Sequence, residues 1–171
     1  MMNRTAKLVL TASSLFLAFF VGRPDTAQAA LPTSTVTVTA TVAKACTISN
    51  AALAFGPYNP TSTSDTTQSV GLSFQCSSGT PITIDLNLGS NSGGLGGMRG
   101  MANTTNLTNI LQYQIYSDSG LTTAWGTGTG AKGMTATAGP DSLMMYGKIP
   151  ALQTGVIVGT YQDTVTATLN F

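Results

Sequence analysis

Two segments near opposite ends of the chain alternate apolar and polar residues with a period of two. Residues 35–42 read T-V-T-V-T-A-T-V, and residues 163–171 read D-T-V-T-A-T-L-N-F. Because successive side chains of a strand point to opposite faces, this alternation predicts two half-buried strands. The apolar faces consist of Val36, Val38, Ala40 and Val42 in the first segment and Val165, Ala167, Leu169 and Phe171 in the second. The pattern leaves open whether the two strands pair within one molecule or between molecules.

The last segment has a further property, because it ends on Phe171 with no polar tail after it. Chain termini fray unless other elements hold them in place. The sequence therefore predicts that this end is a packed core strand.

The first 29 residues have the organisation of a secretory signal peptide. Two basic residues precede an apolar run at residues 8–21, and A-Q-A follows at residues 27–29. Small residues at these positions predict cleavage between Ala29 and Ala30, and hence export. The alternative is a membrane anchor, but the run is short for a bilayer span and a cleavage site follows it.

The expected mature chain, residues 30–171, has the length of one ordinary domain. It carries four Lys or Arg and five Asp, and four minus five gives a net charge of −1. Nucleic-acid binding needs clustered Lys and Arg, so this class of partner is excluded. A surface with so few charges also opposes self-association only weakly.

The chain has two cysteines, Cys46 and Cys76. An even number of cysteines in an exported protein predicts a disulfide. The alternatives are a metal site and a redox pair. Two thiols without histidine make a poor metal site, and the close C-x-x-C spacing of redox pairs is absent.

The body of the chain is predicted to be all-β. Further alternating segments occur at residues 69–76, 81–88, 111–116 and 143–149. The turn cluster S-S-G-T-P at residues 77–81 predicts that the first two of these form a β-hairpin. Two Gly-rich segments, residues 89–108 and 125–140, are predicted to be long loops. Several short strands with turns between them and no amphipathic helix predict a β-sandwich.

The sequence offers little for catalysis or cofactor binding. Without histidine, neither a Ser-His-Asp nor a Cys-His arrangement is possible. The aspartates lie on separate segments, and Asp65, Asp118 and Asp141 are expected in turns. The glycines before Lys132 lack the Ser/Thr and the helix of a phosphate loop. We therefore expect no catalytic, metal or cofactor site, and we expect Trp125 in the core rather than in an exposed contact.

Several motifs together resemble a known family. A-C-T-I follows the first alternating segment, and L-S-F-Q-C contains the second cysteine. Y-Q-I-Y-S-D leads to Trp125-Gly126, and Y-G-K-I-P begins at Tyr146. The chain ends in G-T-Y-Q-D-T-V-T-A-T-L-N-F. These features resemble the spore coat protein U domain family, which includes subunits of archaic chaperone–usher pili, and the resemblance covers the expected mature chain.

The resemblance implies an incomplete immunoglobulin-like β-sandwich of the pilin type, which lacks its final strand. A periplasmic chaperone lends a strand to the open groove, and at the outer-membrane usher the N-terminal strand of the next subunit replaces it. On this reading, residues 1–29 are the signal peptide, 30–44 the donor segment and 45–171 the pilin domain. Val36, Val38, Ala40 and Val42 would be donor residues, and Val165, Ala167, Leu169 and Phe171 would line the acceptor groove.

The expected role is a non-enzymatic pilus subunit that passes through the periplasm to the cell surface and supports adhesion and biofilm formation. Its expected partners are the chaperone, the usher and other pilus subunits. Two alternatives keep the same fold, a secreted spore-coat or matrix protein and an adhesin that binds a surface or a sugar. A secreted hydrolase is a further alternative. Measurable turnover that is abolished by an Asp→Asn change would support it.

Overall fold

The computed structural model describes residues 29–92 and 95–171. The chain divides into two units, residues 1–39 and 40–171. The predicted signal peptide lies outside the described residues, apart from Ala29. The described residues form one 3-10 turn and nine strands: β1 Cys46–Ile48, β2 Thr66–Cys76, β3 Pro81–Leu86, β4 Arg99–Asn103, β5 Ile110–Tyr116, β6 Lys132–Thr135, β7 Asp141–Ile149, β8 Tyr161–Gln162 and β9 Ala167–Asn170.

The strands of residues 40–171 form two antiparallel sheets. One sheet has six strands in the order β1-β2-β7-β5-β4-β8, and the other has three in the order β6-β3-β9. Within the described ranges, the structure holds no helix that is long and apolar enough to cross a membrane.

The central pair of the larger sheet, β2 and β7, shows why the alternating sequences form strands. Val70 lies opposite Met145, and Leu72 lies opposite Leu143, so the apolar residues of both strands share one face. Opposite residues in an antiparallel pair are close enough for their side chains to pack together. Leu72 and Met145 are buried as a result, and the strands predicted at residues 69–76 and 143–149 are present.

The core lies between this face and the apolar face of β3. Ile84 and Leu86 in β3 are fully buried, as is Trp125 in the loop after β5. The indole Nε1 of Trp125 donates a hydrogen bond to the Ile84 carbonyl oxygen over 2.8 Å. A buried indole needs such a partner for its N–H group. The prediction that Trp125 belongs to the core is confirmed.

The predicted hairpin between residues 69–76 and 81–88 is wrong, because β2 and β3 belong to different sheets. The connecting turn is tied to the end of β6, where the Ala136 amide donates to the Thr80 carbonyl over 2.9 Å. The two apolar faces therefore oppose each other across the core. Alternation shows that one face of each strand is buried, but it does not identify the neighbouring strand.

The two predicted long loops also contain strands. Residues 89–108 include β4, and residues 125–140 include β6. β4 has the sequence R-G-M-A-N, which does not alternate. Gly100 is required there because a Cβ atom would lie 2.6 Å from the Ile110 side chain and 2.7 Å from the Asn91 carbonyl oxygen. Tight packing rather than propensity therefore explains this strand.

Arg99 in β4 is completely buried. Its Nε donates to the Asn87 carbonyl over 3.0 Å, and its Nη2 donates to the Trp125 carbonyl over 2.7 Å. The same guanidinium also contacts the carbonyl of Leu86 and the side-chain oxygen of Gln114. A planar fork of five donors suits this set of acceptors. Arg99 thereby joins the end of β3, the strand β5 and the Trp125 loop.

The predicted disulfide is confirmed, because Cys46 and Cys76 are bonded. They are directly opposite each other in the pairing of β1 with β2. β1 is only three residues long, so the covalent bond holds a strand that few backbone hydrogen bonds support.

Candidate functional site: an open groove between two sheet edges

An open groove runs along one side of the sandwich formed by residues 40–171. Its first compartment is a cavity of about 720 Å³, with residues 48–55 on one side and residues 161–167 on the other. Its floor includes Leu72, Tyr113 and Met145, which also belong to the hydrophobic core. The groove therefore exposes part of the core of the domain.

The groove continues into a second compartment of about 570 Å³. There the walls are residues 53–60 and 156–161, and the floor includes Leu111 and Ile149. The two compartments share five lining residues, which are Leu53, Ala54, Phe55, Met101 and Tyr161. Because these shared residues belong to the walls and the floor of both compartments, the two compartments form one continuous groove. Met101 lies at the junction.

The wall at residues 161–170 shows the alternation that the sequence predicted. Tyr161, Asp163, Val165, Ala167 and Leu169 are partly buried, whereas the residues between them are exposed. The segment does not stay in one sheet. β8 pairs with β4 in the larger sheet, and β9 pairs with β3 in the smaller one. The segment thus passes from one sheet to the other at residues 163–166.

Asp163 holds this crossing in place. One of its carboxylate oxygens accepts hydrogen bonds from the Ser90 amide over 2.9 Å and the Asn91 side chain over 3.1 Å. The other accepts a hydrogen bond from the Tyr113 hydroxyl over 2.8 Å. A Cβ atom on Gly89, whose φ is +83°, would lie 2.0 Å from the carboxylate. Glycine is therefore needed at position 89 for both its backbone conformation and its size.

The environment of Asp163 shifts the titration of its neighbours. Burial, the hydrogen bond to Asp163 and the charge of that carboxylate all raise the pKa of Tyr113 above its ordinary value. Burial lowers the pKa of Arg99, and the charges of Tyr113 and Asp163 oppose this shift. Among the described residues that line the two compartments, Asp163 alone carries a charge.

The raised pKa of Tyr113 predicts a loss of stability at alkaline pH. Above about pH 10 the tyrosine of the unfolded chain ionises, whereas Tyr113 keeps its proton in the folded protein. The unfolded state then binds fewer protons, so the free energy of unfolding falls by about 1.4 kcal/mol per pH unit. In urea unfolding between about pH 9 and 11, the free energy of unfolding should fall less steeply with pH for Tyr113→Phe than for the wild type. The prediction would be contradicted if the free energy of unfolding, taken relative to its value at neutral pH, fell equally steeply with pH for both proteins.

One wall of the groove contains outermost strands of the sheets, and the other wall continues from an outermost strand. β1 and β8 are the outermost strands of the larger sheet, and β9 is an outermost strand of the smaller one. The chain that continues from β1 forms the opposite wall as coil. Outermost strands present backbone N–H and C=O groups that can pair with an added strand. The groove thus combines an apolar floor with free strand edges.

The structure brings some of the predicted acceptor residues to the groove. Val165 and Ala167 line the first compartment. Leu169 packs against the core, opposite Ile84 in β3. The expectation of a packed terminal residue is wrong for Phe171, which is 56% exposed, since β9 ends at Asn170. A contact of these residues with a lent strand stays a prediction.

The predicted donor residues lie in a segment without a strand. Residues 29–45 form neither strand nor helix, and Val36, Val38 and Val42 are more than 80% exposed. A strand needs a partner for its backbone groups, so this observation does not test the donor role. The role stays a prediction.

The sequence did not identify most of the groove. The wall at residues 48–60 reads N-A-A-L-A-F-G-P-Y-N-P over its last eleven residues, with no alternation to mark a strand edge. Met101 falls in the segment that was predicted to be a loop. Phe55 in this wall packs edge-on against Tyr113, with ring centres 6.0 Å apart.

The aspartates outside the groove have local roles. Asp118 accepts hydrogen bonds from the amides of Thr122 and Thr123, as expected of a turn residue. Asp141 accepts a hydrogen bond from the Thr137 amide, but it is the first residue of β7, so the prediction that it lies in a turn is wrong. The hydrogen bonds that Asp118 accepts, led by the one from the Thr123 amide, lower its pKa. Asp65 pairs with Lys148 over 3.5 Å. In the described ranges, no three potential metal ligands cluster together.

Comparisons with known proteins agree with this geometry. Residues 32–168 match the family described as Spore Coat Protein U domain. Protein U of Myxococcus xanthus is 34% identical over 182 residues, which cover 98% of both chains. A solved structure of similar fold is the CsuC–CsuE chaperone–tip adhesion subunit pre-assembly complex from the archaic chaperone-usher Csu pili of Acinetobacter baumannii.

The structural likeness has a TM-score of 0.59 at 26% identity and covers 77% of this chain. This chain spans only 41% of the length of the chain it matches. The likeness confirms the predicted all-β sandwich of the pilin type. Because the family match extends over most of its length, the chain belongs to the Spore Coat Protein U domain family.

Proposed function

We propose that this chain is a structural subunit of a surface pilus, assembled by a chaperone and an usher through strand exchange. The observation that carries the proposal is the open groove, which exposes the core of the domain between free strand edges. An exposed apolar groove of this kind invites aggregation in a monomer. A strand lent by another protein would cover it and complete the sandwich by β-augmentation.

The choice of partners draws on the structural neighbour. That protein was solved as a pre-assembly complex of a chaperone with a pilus tip adhesion subunit. We propose that a periplasmic chaperone occupies the groove of this chain first and that a neighbouring subunit replaces it at the outer-membrane usher. On this basis residues 1–29 form the signal peptide, residues 30–44 the donor segment and residues 45–171 the pilin domain.

The proposed role requires no catalytic step. The lent strand comes from residues 30–43 of a neighbouring subunit, with Val36, Val38, Ala40 and Val42 directed into the groove. Each contact joins the lent strand of one subunit to the groove of the next, so it is heterologous. Such contacts do not close into a ring and therefore produce an open filament. The filament would support adhesion and biofilm formation at the cell surface.

Deletion of residues 30–43 tests the proposal. The variant retains the groove and should be recovered in complex with its chaperone, but it should form no fibres because it has no strand to lend. Fibres are counted by electron microscopy of cells that express the chain with its own chaperone and usher. Biofilm mass on a polymer surface is measured in the same cells.

A matched control replaces residues 30–43 by a segment in which every threonine is serine and the apolar residues are unchanged. The control keeps the period of two and should still assemble. Fibres from the deletion variant would show that the donor assignment is wrong. Absence of both fibres and chaperone complexes for the full chain would show that the pilus assignment is wrong.

A second candidate role is an extracellular coat or matrix protein. The description of the matching family, Spore Coat Protein U domain, favours this role, and the similarity to Protein U of Myxococcus xanthus extends over 98% of both chains. Under it, the chain would be found in a surface layer without fibres. Immunogold labelling of intact cells separates the two, because a pilus places the label along filaments.

A further inference from the structure

The connection between β4 and β5 contains two asparagine motifs that the proposed role in assembly does not use. Residues 103–105 read N-T-T, and residues 106–108 read N-L-T. Both match the Asn-x-Ser/Thr motif at which exported proteins receive N-linked glycans. The two motifs are equivalent in sequence, but the folded chain places their asparagines in opposite environments.

Asn103, the last residue of β4, is closed to modification. It is only 1% exposed, and its side-chain oxygen accepts hydrogen bonds from the amides of Thr105 over 2.9 Å and Asn106 over 3.0 Å. A sugar would be joined to its side-chain nitrogen, and a Cβ atom on Gly159 would lie 2.4 Å from that atom. A sugar is far larger than a methyl group, so the folded chain has no room for one at Asn103.

Asn106 is open to modification, because residues 104–108 are all exposed. Its side-chain oxygen accepts a hydrogen bond from the Thr108 hydroxyl over 2.7 Å and another from the Thr108 amide over 3.3 Å. An amide nitrogen is a poor nucleophile, since its lone pair is delocalised onto the oxygen. A hydroxyl that donates to this oxygen stabilises the negative charge that the oxygen gains when the nitrogen loses a proton. The third residue of the motif thus assists the chemistry of the first.

Backbone hydrogen bonds hold the loop in this conformation. The Asn109 amide donates to the Asn106 carbonyl over 3.0 Å, and the Asn103 amide donates to the Asn109 carbonyl over 2.9 Å. The Thr104 amide donates to the Thr160 carbonyl over 2.8 Å. These bonds fix the loop at its base, so the geometry of the acceptor is a property of the folded chain.

A sugar at Asn106 would leave the groove free. None of residues 104–108, all of which the structure describes, lines either compartment. The loop carries no charge, and Leu107 beside the acceptor is 71% exposed. A glycan is bulky and hydrated, so it would cover this apolar side chain and add solubility to a surface with few charges.

We propose that Asn106 is the acceptor of an N-linked glycan and that Asn103 is not, because the folded chain presents only the side chain of Asn106. The Asn106 side-chain nitrogen forms a bond to C1 of a sugar, and the C1–O bond that joins this sugar to a diphosphate breaks. The diphosphate leaves with the electron pair, and the proton of the nitrogen passes to a base of the transferase. The step needs no oxidant or reductant.

The selection between the two asparagines determines when the sugar is transferred. In an unfolded chain both motifs are accessible, so a choice between them requires transfer to the folded chain, after export. The donor is therefore a sugar that a membrane lipid carries through a diphosphate, rather than a nucleotide sugar of the cytosol. The inference goes beyond the proposed function and shares with it only the export of the chain.

The modification is measured on the mature chain isolated from the cells that produce it. Trypsin cleaves after Lys and Arg, so one peptide of the unfolded chain, residues 100–132, contains both motifs. Fragmentation of this peptide in a mass spectrometer should place a sugar on Asn106 and leave Asn103 unmodified. An unmodified peptide, or a sugar on Asn103 alone or on a threonine, would overturn the proposal.

Variants of the exposed loop test each part of the motif. Asn106→Gln and Thr108→Ala should each abolish the modification, whereas Thr108→Ser keeps the hydroxyl and should retain it. Thr105→Ala is the matched control, because it destroys the motif of Asn103 at an exposed position and preserves the hydrogen bonds of the Asn103 side chain. The control should carry the sugar at the wild-type level, and its loss there would overturn the assignment to Asn106.

A chain without residues 2–29, the proposed signal peptide, tests when the sugar is transferred. Cell fractionation verifies that this chain stays inside the cell, where it should carry no sugar at Asn106. A sugar there would overturn transfer after export, and sugars on both asparagines of the exported chain would overturn selection by the fold. Failure of the pilus function is read separately, from the fibres and the chaperone complex.

Discussion

Replacement of Arg99 by methionine is expected to lower the free energy of unfolding by about 3–5 kcal/mol. The guanidinium is completely buried and donates to the carbonyl oxygens of Asn87, Leu86 and Trp125 and to the side chain of Gln114. Methionine fills a similar volume but donates no hydrogen bond, so buried acceptors lose their partners. Each such loss costs about 1–3 kcal/mol. Urea unfolding, with the slope and midpoint compared, measures the change.

Arg99→Lys separates the charge of the guanidinium from its shape. Lysine retains the positive charge but not the planar fork that reaches several acceptors at once. We therefore expect it to recover only a minor part of the lost stability. Lys132→Met, in the outermost strand β6, is the control for removal of a cation and should change stability by less than about 0.5 kcal/mol. A loss for Arg99→Met no larger than that of the control would contradict the structural role of Arg99.

Met101→Glu is expected to reduce fibre assembly at least about 100-fold while the domain still folds. Met101 lies on the floor of both compartments, at their junction. In the open groove the carboxylate can remain hydrated. Under a lent strand it would become a buried charge without a partner, which costs at least about 3 kcal/mol. A factor of 100 in assembly corresponds to about 2.8 kcal/mol.

Met144→Glu is the matched control, because the same change is made on β7 at a side chain that is 42% exposed. It should leave fibre number close to wild type. Fibres are counted by electron microscopy, and circular dichroism verifies that both variants fold. Equal fibre numbers for the two variants would show that the groove is not the acceptor site.

The period of two was enough to predict the all-β fold and most of the long strands. Val70, Leu72 and Phe74 alternate clearly, and β2 contains all three. The same rule failed for the pairing of β2 with β3, because alternation specifies a buried face and not a neighbour. The disulfide was predictable from two cysteines and export, and the structure pairs them directly.

Most of the groove could not be predicted from the sequence. The wall at residues 161–167 alternates, and Val165 and Ala167 in it line the first compartment, whereas their contact with a lent strand stays a prediction. The wall at residues 48–60 is coil, and its position depends on contacts that are remote in sequence, such as the Tyr58 hydroxyl with the Pro150 carbonyl over 2.8 Å. Arg99 gave no signal either, because a lone arginine among glycines is typical of an exposed loop.

The passage of residues 161–170 from one sheet to the other has a mechanical consequence. β8 is bonded to the larger sheet and β9 to the smaller one, with Asp163 fixed between them. Tension applied along this segment is therefore divided between both sheets. Because hydrogen bonds in an antiparallel pair are perpendicular to the strands, a lengthwise pull loads them simultaneously rather than in succession. The segment is thus arranged to bear an axial load while the two layers of the sandwich stay together.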